Sequence, residues 1–125
     1  MTWTVELPDQ PYVAPNDRGH WSKRHEAAKA WRHAAAMCAR QAKVPALERV
    51  DVTLVVTPPD RRRRDPDRFS LVLKHATDGL VDAGVIRVDD SRHVARSAVE
   101  MRPPDGSRLW RWLLVVDDAE EGGAA

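Results

Sequence analysis

Residues 22–57, SKRHEAAKAWRHAAAMCARQAKVPALERVDVTLVVT, place a helix directly before a strand and so set the fold class. Alanine is abundant between Ala27 and Ala42, which favours helix. Ser22 is positioned to cap that helix, with Glu26 near the place that completes a capping box. Ala27, Trp31, Ala34, Ala35, Cys38 and Ala42 trace an apolar stripe, and Lys23, Lys29, Arg32, Arg40 and Lys43 lie opposite it. Val44-Pro45 ends the helix, because the residue before proline is driven out of the helical region. From 49 to 57, Val50, Val52, Leu54 and Val56 recur at every second position, the period of a strand. Pro58-Pro59 stops it.

Upstream, Trp3, Val5 and Leu7 alternate with polar residues and predict a first strand. Pro8, Pro11 and Pro15 then dictate an extended connection, and Asn16-Asp17-Arg18-Gly19 reads as a turn. Downstream, Phe69, Val72, Leu73, Ala76 and Leu80 form the apolar face of a second helix over about 68–82, with Gly84 placed to cap it. Residues 93–102 and 108–116 predict two strands, joined as a hairpin by Pro103-Pro104-Asp105-Gly106. The order β-α-β-α-β-β predicts an α+β single domain, one mixed sheet with helices packed on it. That domain is expected over 1–117, with 118–125 an acidic, then Gly/Ala-rich tail that frays.

The chain has 125 residues, 42% hydrophobic and 31% charged, which fits one globular domain. No apolar run approaches the roughly 18 residues of a membrane span, so no membrane partner is expected. The first residues lack a basic and then apolar leader pattern, so no signal peptide is expected. A lone cysteine, Cys38, excludes an internal disulfide and paired-cysteine zinc sites, and a reducing cytoplasm is the expected compartment. Cys38 itself reads as core. The net charge of +1 conceals alternation: 18–43 carries +6 and 59–68 carries +2, between acidic segments. Such a layout allows a basic face around an acidic site, although on charge alone ordinary solvated surface is the favoured reading.

The stretch that carries chemistry is Arg64-Asp65-Pro66-Asp67. Pro66 favours an extended Asp65, and in an extended chain i and i+2 point the same way. Two carboxylates so placed make a hard-oxygen site of the kind Mg²⁺ takes. The alternative is a helix cap at Asp67 and an arginine-paired loop residue at Asp65. A second acidic pair, Asp89-Asp90, follows one helix later and can return beside the first, or simply make a turn. Lys74, seven residues past Asp67, is placed to meet a phosphate or to pair with Asp78. Asn16, Arg18, His20, Lys23 and Arg24 gather around Trp21, and Arg61-Arg62-Arg63-Arg64 with Arg68 flank the aspartates, all suited to phosphate contacts. Trp21 and Trp31 read as core anchors, Trp110 and Trp112 as core or subunit contact.

Taken in order, these pieces resemble the RusA-type Holliday junction resolvases, small endodeoxyribonucleases often carried by phages and prophages. Asn16-Asp17-Arg18-Gly19-His20-Trp21 is similar to the family's Asn-x-Arg…His-Trp segment, and Asp65-Pro66-Asp67 to its paired-aspartate motif. Lys74, then Asp78-Gly79-Leu80-Val81-Asp82-Ala83-Gly84-Val85, then Asp89-Asp90-Ser91 follow in family order. The resemblance spans about Asn16 to Val94. It implies a Mg²⁺-dependent homodimer (Mn²⁺ as possible substitute) that nicks four-way DNA junctions in paired strands, in the cytoplasm of a bacterial host. It implies metal ligands at Asp65, Asp67 and the Asp89-Asp90 pair, with Asp90 the preferred member, and a catalytic Lys74. The family usually has asparagine straight after the second aspartate, where this chain has Arg68. That departure leaves a second expectation, a branched-DNA binding protein with impaired catalysis.

Overall fold

A computed structural model describes residues 1–17 and 21–120. The elements are β1 (Thr2–Leu7), α1 (Trp21–Gln41), β2 (Val50–Thr57), a 3₁₀ turn (Pro66–Phe69), α2 (Ser70–Asp82), β3 (Val94–Met101) and β4 (Arg111–Asp118). This is the expected α+β order. The four strands make one mixed sheet in the order β1-β4-β2-β3. β4 is antiparallel to both β1 and β2, while β3 is parallel to β2 across the α2 crossover.

The expected hairpin between the last two strands does not form. β3 and β4 lie on opposite sides of β2, and the segment containing Pro103-Pro104-Asp105-Gly106 carries the chain across its end. Composition explains the sorting. β4 alternates Trp112, Leu114 and Val116, all fully buried, and is drawn to the middle of the sheet. β3 carries Arg96, Ser97 and Glu100, and a half-polar strand is cheapest at an edge.

One face of the sheet holds the core. Val5 and Leu7, Trp112, Leu114 and Val116, and Val50, Val52, Leu54 and Val56 pack with Trp31, Ala35 and Ala39 of α1 and Val72, Ala76 and Leu80 of α2. Cys38 and Val44 pack at the edge of this core. The two helices touch closely because small residues meet: Gly79 faces the Arg32 carbonyl, the Ala35 methyl and the Ala36 nitrogen of α1. Arg32 fastens the same crossing, its Nε and Nη2 donating to the two Asp82 carboxylate oxygens at 2.6 and 2.8 Å.

Helix ends differ from the expectation by local chemistry. α1 begins at Trp21, so Ser22 lies inside its first turn rather than capping it. It ends at Gln41 with Lys43 in the left-handed region (φ 55), and Val44 N–H donates to the Ala39 carbonyl. Gly84 (φ 80) ends α2 in the same way, with Val85 N–H donating to the Leu80 carbonyl. Residues 66–69 are 3₁₀ rather than α-helix, with Pro66 opening the turn and Asp65 extended before it. At the start of the expected tail Ala119 N–H donates to the Arg49 carbonyl, and 121–125 lie outside the described residues. Among the described residues no helix is long and apolar enough to cross a membrane.

Candidate functional site

β2 delivers the chain to Pro58-Pro59, and the loop that follows carries the arginine run and Asp65 over the end of the sheet. Below it stands an aromatic wall. Phe69 and Trp112 are fully buried, with ring centroids 5.6 Å apart, and Tyr12 packs on Phe69 at 5.3 Å. Trp110 stacks on Trp112 at 5.3 Å, nearly parallel. Hydrogen bonds from Trp31 Nε1 to the Pro11 carbonyl (3.0 Å) and from Trp112 Nε1 to Asp9 Oδ1 (2.9 Å) tie the proline-rich segment to this wall. Trp112 is therefore core, and Trp110 is half-buried beside the site.

The wall backs a groove of about 1080 Å³. Asp65, Asp67 and Arg62, Arg63, Arg64 and Arg68 line it, joined by Asn16, Asp17 and Asp60. Asp65 occupies the cap position of the 3₁₀ turn, yet its side chain makes no cap hydrogen bond. Asp67 lies in the first turn rather than capping a helix. Both carboxylates are exposed, and among the described residues neither has an ion-pair or hydrogen-bonding partner. The capping and arginine-paired alternatives are thereby set aside.

The arginines divide by role. Arg64 is built in: its side chain is 11% exposed, it pairs with Asp60 at 2.9 Å, and its guanidinium sits 4.9 Å above the Trp110 ring centre. Asp60 in turn accepts the Arg62 N–H, which with Arg64 holds its carboxyl below the usual range. Arg68 donates from Nε to the Tyr12 hydroxyl at 3.0 Å and lies over the same ring. Among the described residues the Arg63 side chain has no partner, and the Arg62 guanidinium has only a 3.7 Å contact to Asp60. Arg61 faces a second, smaller hollow with Arg102 and Pro103.

The second acidic pair splits. Asp90 makes a local turn: its carboxylate accepts the Arg92 backbone N–H and guanidinium (2.7 Å to Nη2), which holds it below the usual carboxylate range. Asp89 instead meets α2. Lys74 Nζ lies 3.8 Å from Asp89 Oδ2, so Lys74 pairs with Asp89 rather than Asp78. The Asp78 carboxyl is pushed up by burial and then by a hydrogen bond shared with Asp89. Among the described residues no group of three or more His, Cys, Asp or Glu side chains is gathered to hold a metal ion. Asp65 and Asp67 alone fit a hard divalent cation by donor chemistry, since Mg²⁺ often takes only one or two carboxylates and fills the rest with water and phosphate.

Of the other expected contacts, Asn16 lines the groove, while Lys23 and Arg24 are exposed on α1. Arg24 donates to the Asp17 carbonyl. Arg18 and His20 lie outside the described residues. Trp31 is fully buried as expected, but Trp21 is 76% exposed and is not a core anchor. Sequence reasoning missed Tyr12 and Asp60 as site residues. Tyr12 sits among prolines where no period marks a face, and Asp60 announces itself only by standing four residues before Arg64.

No family model matches the chain. It is 33% identical over 93 residues to a protein of Xylella fastidiosa (strain Temecula1) described as "Uncharacterized protein". The matched stretch is 70% of this chain and 60% of that relative, so the chain spans about three fifths of the length of the curated relative it matches.

Proposed function

We propose that this chain is a structure-specific endodeoxyribonuclease that nicks four-way DNA junctions, acting as a homodimer with Mg²⁺ or Mn²⁺. The observation that carries this reading is the pair of carboxylates, Asp65 and Asp67, that have no partner among the described residues and lie in a groove edged by arginines. Unpaired exposed carboxylates amid four arginines make poor sense as a scaffold and good sense as ligands for something absent. Asp65 and Asp67 would hold the cation, which when bound supplies an activated water and offsets charge on the leaving oxygen. Arg62 and Arg63 have free or weakly held guanidinium groups and would grip backbone phosphates. Lys74 beside Asp89 would steady the scissile phosphate or leaving group. A two-fold dimer would present two such grooves to a nearly two-fold substrate. The ordered motifs of the RusA-type resemblance support the same reading.

A second reading has its own observation. Arg68 replaces the family's asparagine and is engaged by Tyr12 within the groove, and Asp90 is taken up by Arg92. A junction-binding protein that does not cut would look like this.

The test is cleavage of an immobile four-way junction with Mg²⁺, beside linear duplex. Paired nicks that vanish in Asp67→Asn, with junction binding retained, are expected. Cutting by a clean preparation of that variant would sink the site assignment. Binding without nicks by the wild type would favour the second reading, with Arg68→Asn as the next variant.

A further inference from the structure

We propose that Trp21 is a stacking platform for an unpaired nucleobase, so that the ligand of this face is DNA with single-stranded character at its branch point. The inference rests on the nucleic-acid reading above and adds what part of the DNA is read.

Four of the five tryptophans are used by the fold. Trp31 and Trp112 are fully buried, and Trp3 and Trp110 are half-buried against their neighbours. Trp21 is 76% exposed, on the first residue of α1. Among the described residues its one ring neighbour is His25, one turn on, at 6.1 Å between centroids and tilted 58°. The indole face is left to solvent, and a large apolar ring left in water has nothing to gain from the fold itself.

Its surroundings select the ligand. Lys23, Arg24 and Lys29 are exposed on the same helix, and the first turn holds no acidic residue. Arg24 and Lys29 fall on the indole's side of the helix, and cations beside one flat aromatic match a polyanion whose bases carry π-faces. A protein or membrane contact would want a continuous apolar patch. The other exposed large apolar side chain on α1, Met37, is sixteen residues away, about 24 Å along the axis. Position fits as well. Asp17 lines the arginine groove and precedes Trp21 by four residues, so their Cα atoms are within about 14 Å. A strand whose phosphates follow the groove passes within reach of the indole.

The test uses the full chain in EDTA, so that no cutting intervenes. Binding of a short oligo-dT is followed by tryptophan fluorescence, and binding of a blunt duplex by anisotropy. Oligo-dT should quench the wild-type emission. Trp21→Ala should abolish that quench and weaken oligo-dT binding about 5- to 100-fold, while leaving duplex binding and the thermal midpoint unchanged. Trp21→Phe should retain most of the affinity. Oligo-dT binding by Trp21→Ala equal to the wild type overturns the inference, as does equal weakening for single strand and duplex. If junctions are still nicked in that case, only the stacking inference falls. A wild type that binds no DNA of either kind overturns both this inference and the functional reading.

Discussion

At position 79 the space allows no side chain beyond hydrogen. A Cβ there would lie 2.5 Å from the Arg32 carbonyl oxygen and 2.7 Å from the Ala35 Cβ, both on α1. The obstacle is backbone, so it cannot rotate aside. Gly79→Ala should lower stability by about 2–3 kcal/mol, seen as a lower denaturant midpoint at unchanged slope. Position 43 is the opposite case. Lys43 holds a left-handed conformation that Gly84 supplies freely at the end of α2. Lys43→Gly should therefore raise stability by about 0.5–1 kcal/mol in the same assay. The extended backbone at Asp65 was legible because Pro66 restricts the residue before it, whereas the 3₁₀ turn that takes in Asp67 was not, and it replaces the extended 65–67 stretch the sequence suggested. The divergence of Asp89 and Asp90 was not legible either, because it depends on which of them finds Arg92 and which finds Lys74, contacts that adjacent positions in a sequence do not rank.

Between elements, the α1–α2 contact is a seam of small residues closed by one ion pair. Arg32 holds the Asp82 carboxyl below the ordinary carboxylate range, and Arg40 reaches the Asp82 carbonyl at 2.8 Å. A carboxylate whose pKa falls on folding lends stability above its unfolded value, near pH 4, and that stability is lost as pH drops through the lowered folded value. Both partners are partly exposed, so solvent limits the effect. Asp82→Asn should cost about 1 kcal/mol or less at pH 7, and the gap to wild type should close below pH 3 in an acid-unfolding series. At this scale the sequence was informative wherever a period existed. The alanine stripe, the alternation in β2 and the Gly84 cap each predict their element. The segment 103–106 misled, since proline and glycine signal that the chain turns but not which strand waits beyond. Trp21 misled for a related reason: its size argues for the core, while its place at the tip of the helix keeps it outside.

Across the whole molecule, the sheet order brings function to one end. The loop after β2, the start of α2 and the approach to β4 meet where Asp65, Arg63 and Trp110 share the groove. The sequence order alone could not place Tyr12 there, because its neighbour at 69 is brought in by the 3₁₀ turn and those at 110 and 112 by β4 and its approach. The strand that seals this arrangement is β4, which lies between β1 and β2 and pairs with both. That location has a consequence for how the protein is made. β1 and β2 have no direct partner in each other, so β1 waits through synthesis of residues up to 118 before it is joined, while β2 has only β3 beside it until then. Completion of the sheet is then late and long-range, the regime in which folding is slow and nascent chains expose strand edges to other molecules. A ribosome-bound chain stopped short of β4 would hold β1 with no strand partner and the β2–β3 pair with one open edge.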